Sequence, residues 1–277
     1  MNKFSREWLR LRHDIDLRAR NKTVEATFLT HMEKVSPAGT PLKLLDLGAG
    51  TGATVAALAP EISEAQDWTL LDNDRALLEE LRVNQAELVK EGGQLHLHIL
   101  EMDLNTDEAF DKFQQHSAVT TSALLDLTSA KWIDKLTATL VHNSLPFYAA
   151  LSFDGRVALS PAHPKDDEII KAFHLSQKLD KGFGPALGKE ANSYAMNTLE
   201  AAGFRIIEGF SDWLCQKGEK ELQKELVLGW AQAAQLAGLP VDKVHHWQDA
   251  RITMINRGES QLSVGHVDFA AFPPEPS

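Results

Sequence analysis

Residues 43 to 52 read Lys43-Leu44-Leu45-Asp46-Leu47-Gly48-Ala49-Gly50-Thr51-Gly52: a short apolar run, then three alternate glycines, with an acid two positions ahead of the first. The helix-favouring stretch from Ala53 to Ala59 follows, so the glycines make a strand-to-helix turn. Glycine reaches backbone dihedrals closed to other residues, and without a Cβ it lets a ligand lie against the main chain at a helix N-terminus. A nucleotide-type ligand suits such a turn. A dinucleotide would need G-x-G-x-x-G, so that the last glycine packs helix on strand; here Gly52 comes one position early and Ala occupies position 53.

Three further apolar runs lead to acids. The run from Asp67 ends at Asp72, 20 residues past Gly52, where a carboxylate can accept both hydroxyls of a ribose. The run from Leu95 leads to Asp103-Leu104, and the run from Ser122 leads to Asp126-Leu127. Any one of these acids alone would read as a helix cap. Four in register read as one site.

On these residues, 43 to 127, the chain resembles the class I S-adenosylmethionine-dependent methyltransferases, whose first motif is an acid followed by G-x-G-x-G. The resemblance implies S-adenosylmethionine as cofactor and S-adenosylhomocysteine as product. It implies that Asp46, Gly48, Ala49, Gly50 and Gly52 surround the methionine end, whose ammonium suits an acid. Asp72, with Asn73 beside it, would hold the ribose; Asp103 and Leu104 the adenine; Asp126 and Leu127 would sit near the sulfonium. Arg20 is the candidate cation for the methionine carboxylate, because the glycine turn supplies only amides.

Methyl transfer asks first for alignment, and for a base only where the nucleophile must lose a proton. His163 and His174 are the base candidates, although His174, four residues after Ile170, also reads as a half-buried helix residue. His96 and His98 alternate on a strand and read as packing residues. Trp132, Asp180, Lys181, Phe183 and Trp213 are the substrate-side candidates, on segments that resemble a little-characterised bacterial group within the class. Asp126 and Asp154 stand where metal-dependent relatives hold magnesium, but position 155 is Gly and the third oxygen ligand is missing, so no metal is expected.

The elements that must position these residues follow an α/β rhythm. From Leu42 to Pro161 strands and helices alternate, which predicts a Rossmann-like, three-layer fold: seven strands, mainly parallel, with helices on both faces. Residues 1–40 read as an N-terminal helical extension, with one amphipathic helix over 5–34 capped by Ser5 and stopped at Pro37-Ala38-Gly39. Its stripe carries Arg12, Asp16 and Arg20. Residues 41–277 form the methyltransferase domain. After a fifth strand over 146–153, Asp154-Gly155 reads as a hairpin turn opening an insertion of about 154–190. Within it lies a helix over 166–179, then Asp180 to Gly188, where three Gly and one Pro suggest a lid bearing Phe183. A helix over 190–202, a strand over 204–214, helices over 219–237 and 241–256, and a last strand over 261–272 complete the pattern, the last strand returning beside the sixth. Pro273, Pro274 and Pro276 mark a frayed tail.

Composition bounds the partners. The net charge is −11, from 28 basic and 39 acidic residues, which repels nucleic acid. No apolar run spans a membrane. The one cysteine, Cys215, excludes an internal disulfide and reads as buried and inert. Seven Lys/Arg in the first 22 residues resemble a transit peptide, against which Glu7, Asp14 and Asp16 argue. The expectation is a cytoplasmic enzyme that methylates an oxygen or nitrogen of a small molecule, with a homodimer compatible. The alternatives are a catalytically silent cofactor-binding partner subunit, a protein methyltransferase, or a nicotinamide-dependent dehydrogenase; the glycine spacing disfavours the last.

Overall fold

Neighbouring residues on each central strand point to opposite faces, and in this chain both sets are apolar, so helices must cover the sheet on both sides. The computed structural model describes residues 6–35, 39–91 and 94–275. Strands β1 (Leu42–Leu47), β2 (Gln66–Asp72), β3 (Leu95–Glu101), β4 (Ala118–Ser122) and β5 (Phe147–Ser160) pair in parallel in the order β3-β2-β1-β4-β5. β8 (Gln261–Phe272) then runs antiparallel between β5 and β6 (Arg205–Phe210), and β7 (Trp213–Cys215) pairs with the first half of β8.

One face carries Leu45, Leu47, Val119, Phe147, Ala149, Phe269 and Ala271, packed under α5 (Asp107–Asp111), α6 (Ala130–Asn143) and α8 (Ala191–Ala201). The other carries Leu42, Leu44, Trp68, Tyr148, Ala150, Ala270 and Phe272 under α2 (Lys22–Val35), α3 (Ala53–Leu58) and α4 (Arg75–Glu91). This is the predicted three-layer arrangement. A third core lies elsewhere. Residues 153–160 of β5 run past the carboxyl edge of the parallel strands, and there α1 (Arg6–Ala19), α7 (Asp166–Gln177), α9 (Lys220–Leu236) and α10 (Val241–Asn256) gather around Trp213, Trp230 and Trp247. The site lies between that helical cap and the strand ends.

Several boundaries differ from the sequence reading. The single helix over 5–34 is two helices broken at Arg20-Asn21, because the Asn21 amide donates to Asp268 Oδ2 on β8 (2.8 Å) and the Asn21 side chain caps α2 through the amides of Thr23 and Val24. The expected cap at Ser5, the stop at Pro37-Ala38 and Pro276 lie outside the described residues. The fourth strand ends at Ser122, and Leu125–Leu127 is a 3-10 turn entered through Ala123 at φ 52°. The hairpin at Asp154-Gly155 is absent: β5 continues to Ser160, paired with β8 on both sides of two bulges. The strand over 204–214 is two strands separated by Ser211-Asp212. His96 and His98 are exposed on β3 at the sheet edge, with His98 Nε2 2.8 Å from Asp67, so neither packs the core.

Candidate active site

The glycine turn closes between β1 and α3. Gly52 opens α3 at φ 91°, and a Cβ there would fall 2.7 Å from Leu81 Cδ1, so both backbone and packing demand glycine. The Gly50 amide donates to Asp72 Oδ2 (2.8 Å), and Asp72 Oδ1 accepts from the Asp74 amide (2.8 Å). Asp72 is half-buried with Asn73 exposed beside it, and its carboxyl is raised chiefly by burial. α1 lies over the turn: Leu9 Cδ1 is 3.9 Å from where a Gly50 Cβ would stand, and Arg10 Nε reaches Glu80 Oε1 at 2.9 Å.

Behind the turn Asp46 is fully buried. Its Oδ1 accepts from the Thr120 hydroxyl (2.7 Å), while Oδ2 has no partner at full hydrogen-bond geometry; the Thr54 hydroxyl, 3.0 Å from Ser122 Oγ, lies close enough to favour its charge. Burial raises this carboxyl to about 7. Arg20 arrives at the same place because the α1–α2 break turns it inward. Its Nη2 donates to Ser122 Oγ (2.8 Å) and the Ala53 carbonyl (3.3 Å), and its Nη1 lies 3.5 Å from the Tyr148 hydroxyl. The neighbouring Tyr148, Asp268 and Asp16 help to hold Arg20 protonated, against the desolvation that is the largest influence on it. A buried carboxylate oxygen without a partner beside a buried guanidinium is the chemistry that would take up an ammonium and a carboxylate together. The residues present therefore fit the methionine end of S-adenosylmethionine.

Along the strand ends the second half of the site is knitted from three loops. Asp103 is exposed and accepts from the amide and side chain of Asn105. Buried Leu104 offers its carbonyl to the Trp132 indole N–H (2.9 Å), and the Phe183 ring meets the Trp132 ring edge-on at 5.4 Å. Asp180 is exposed and folds its own loop by accepting from the Gly182 and Gly184 amides. Asn105 donates to the Gly182 carbonyl, and the Leu187 amide to Thr128. The 180–188 segment is thus irregular, as expected, but docked against the loops after β3 and β4.

Asp126 is buried in its 3-10 turn, with Leu127 half-buried next to it. Burial lifts its carboxyl to about 6, against its own amide, the Phe153 amide and the charges of Arg12 and Lys181. Phe153 is cross-strand partner to His266. His266 is 5% exposed, its ring 4.8 Å from that of Trp213, whose indole N–H donates to Asp16 (3.0 Å) under the Arg12 guanidinium. His174 lies on α7 with its ring 5.9 Å from Phe153 and Nε2 without a partner, its pKa lowered first by burial.

The structure therefore brings Arg20, Asp46, the glycines and Asp72 together, and Asp126, Lys181, His174 and Trp213 around Phe153. His163 lies apart, its amide on Asp166 and its Nδ1 accepting from the Lys165 amide. Asp154 is committed to Arg156, which also bonds Asp212. Thr120, Ser122, Tyr148, Arg12 and His266 join the site only through tertiary structure; of these, Arg12 alone had a sequence signal, its place on the stripe with Asp16 and Arg20.

No family model and no curated protein matches the chain. Among solved structures it is similar to a cyclopropane-fatty-acyl-phospholipid synthase-like protein from Lactobacillus casei, at 14% identity over 94% of this chain and 99% of that one, TM-score 0.52. It also aligns with a SAM-dependent methyltransferase from Thiobacillus denitrificans in complex with S-adenosyl-L-homocysteine, at 13% identity over 98% and 100%, TM-score 0.44. One from Geobacter sulfurreducens with the same ligand gives 13% identity over 99% and 100%, TM-score 0.44. With its 3-2-1-4-5-8-6 strand order and glycine turn after β1, the chain has the Rossmann-like fold of the class I S-adenosylmethionine-dependent methyltransferases.

Proposed function

We propose that this protein transfers a methyl group from S-adenosylmethionine to an oxygen or nitrogen of a small-molecule acceptor. The observation that carries the reading is the buried Asp46 carboxylate, one oxygen unpartnered, set with Arg20 against a glycine turn whose Gly50 amide is held by Asp72. Bound there, the cofactor supplies an electrophilic methyl on a sulfonium. The chain's own task is positioning. Asp46 and Arg20 fix the amino-acid end, Asp72 and Asn73 the ribose, and Asp103 and Leu104 the adenine edge. Asp126 and Leu127 face the sulfonium. His174, neutral at physiological pH because burial lowers its pKa, can take a proton from the nucleophile through its free Nε2.

Calorimetric titration with S-adenosylhomocysteine checks the reading: binding in the low micromolar range is expected, near −8 kcal/mol, roughly. No binding at about 1 mM ligand would overturn it. Release of S-adenosylhomocysteine in the presence of an acceptor panel then separates an enzyme from a silent binding subunit.

A further inference from the structure

Beyond the cofactor shell, two imidazoles of the site each have a buried nitrogen without a partner. His266 Nδ1 is buried and has no hydrogen-bond partner. A neutral imidazole has one proton for two nitrogens, so one of them is left with a lone pair. The ring cannot easily escape its setting. It lies against Trp213 at 4.8 Å and Phe153 at 6.2 Å, with its amide on Asp212 (3.2 Å) and its carbonyl taking the Ser211 amide (3.0 Å). Around it stand Arg12 and Asp16 from α1, and Asp212 and Arg156 beside the strand ends; Asp126 meets the Phe153 amide and His174 the Phe153 ring. Burial foremost, and the Arg12 charge, keep it unprotonated, with a pKa near 3. Buried polar atoms in folded proteins almost always have partners, so an unpaired ring nitrogen beside Phe153, whose amide meets Asp126, calls for one.

We infer that His266 is the acceptor-recognition residue: its Nδ1 receives a hydrogen bond from a hydroxyl or amine N–H of the methyl acceptor, beside Asp126. His174 Nε2, also unpartnered, belongs to a ring that meets the same Phe153, so the acceptor offers its donors to two imidazoles set against aromatic rings. The ligand class is a small molecule with a flat or apolar body and a neutral hydroxyl or amine. An acceptor lacking such a donor would leave the lone pair buried and unpaired, and is rejected on that account. The inference rests on the methyltransferase reading above.

Phenol and anisole make the test, since anisole is phenol with its O–H donor capped by a methyl group. The protein is labelled with 15N-histidine and saturated with S-adenosylhomocysteine. Phenol at millimolar concentration is expected to shift the His266 Nδ1 resonance and anisole is not. In His266→Phe, which keeps the ring stack, phenol binding should fall by about tenfold, the worth of one hydrogen bond of this kind. In His266→Asn, whose side-chain oxygen falls where Nδ1 stood, it should be retained. S-adenosylhomocysteine affinity should stay within about twofold in both variants, because His266 touches no part of the cofactor shell. Equal effects of phenol and anisole, no effect of either, or phenol binding undiminished in His266→Phe would each overturn the inference; a resonance that answers to neither compound marks a lone pair satisfied by water. If wild-type protein fails to bind S-adenosylhomocysteine, it is the underlying reading that falls. His266→Asn guards against a folding defect in the phenylalanine variant.

Discussion

Asp46 is a buried carboxyl whose charge costs the free protein stability. Burial raises its carboxyl to about 7 and that of Asp126 to about 6. Between the usual carboxylate range near pH 4 and those values, the folded state holds protons that the unfolded chain has lost. Stability from these groups therefore declines as pH rises through that window and is lowest above it. Asp46→Asn keeps the bond from Thr120 and removes the buried charge. We expect it to stabilise the ligand-free protein by about 1–3 kcal/mol at pH 8 and to flatten the dependence of its melting temperature between about pH 5 and 8. The same change should weaken S-adenosylhomocysteine binding by about tenfold or more, through loss of a charge-assisted contact. A melting temperature lower than wild type at pH 8 would contradict this account. The glycines and acids were legible because the motif is contiguous. The groups that define their state were not, since Thr120 lies 74 residues from Asp46 and Tyr148 lies 128 from Arg20.

Among elements, the break between α1 and α2 matters most, because it turns Arg20 to the glycine turn and lays α1 across it. Asn21 makes the break. Its side-chain oxygen caps α2, its backbone amide is taken by Asp268, and its side-chain NH2 donates to the Phe210 carbonyl (3.0 Å) in a space that a Cβ on Gly209 would fill. Asn21→Ala should lower stability by about 1 kcal/mol in urea unfolding with an unchanged m-value, and reduce cofactor affinity along with it. Retained stability together with retained affinity would show that the break forms without the cap. Sequence periodicity ran straight through this point, since Ala19, Thr23 and Ala26 keep helical steps on both sides. Likewise Asp154-Gly155 carries a hairpin signal, but β8 pairs with β5 before and after it, and the long ladder outweighs one turn preference.

The whole molecule is two layers of helices on one sheet with a helical cap raised on the extensions of β5 and β8. The cap is pinned by Asp166 on α7, which accepts from Trp247 Nε1 (2.8 Å) and Arg251 Nε (3.0 Å) and forms an ion pair with the same guanidinium, while Arg251 Nη1 reaches the Pro161 carbonyl (2.7 Å). Arg251 is fully buried, so Asp166→Ala strands a charge. The expected loss is about 3–5 kcal/mol by chemical denaturation, and Asp166→Ala with Arg251→Met should recover much of it. A loss under about 1 kcal/mol would mean the cap is held by its apolar core alone. By itself the sequence determined the alternation of parallel strands and helices, the glycine turn and the acids in and just after the strands, because periodicity and short motifs are local properties of the chain. Only the tertiary structure decided where β8 inserts, which helices rise over the site, that Arg20 joins Asp46, and that His163 stands apart while His266 stands beside Phe153. Those facts depend on contacts between residues far apart in the chain, and no window along the sequence contains both partners.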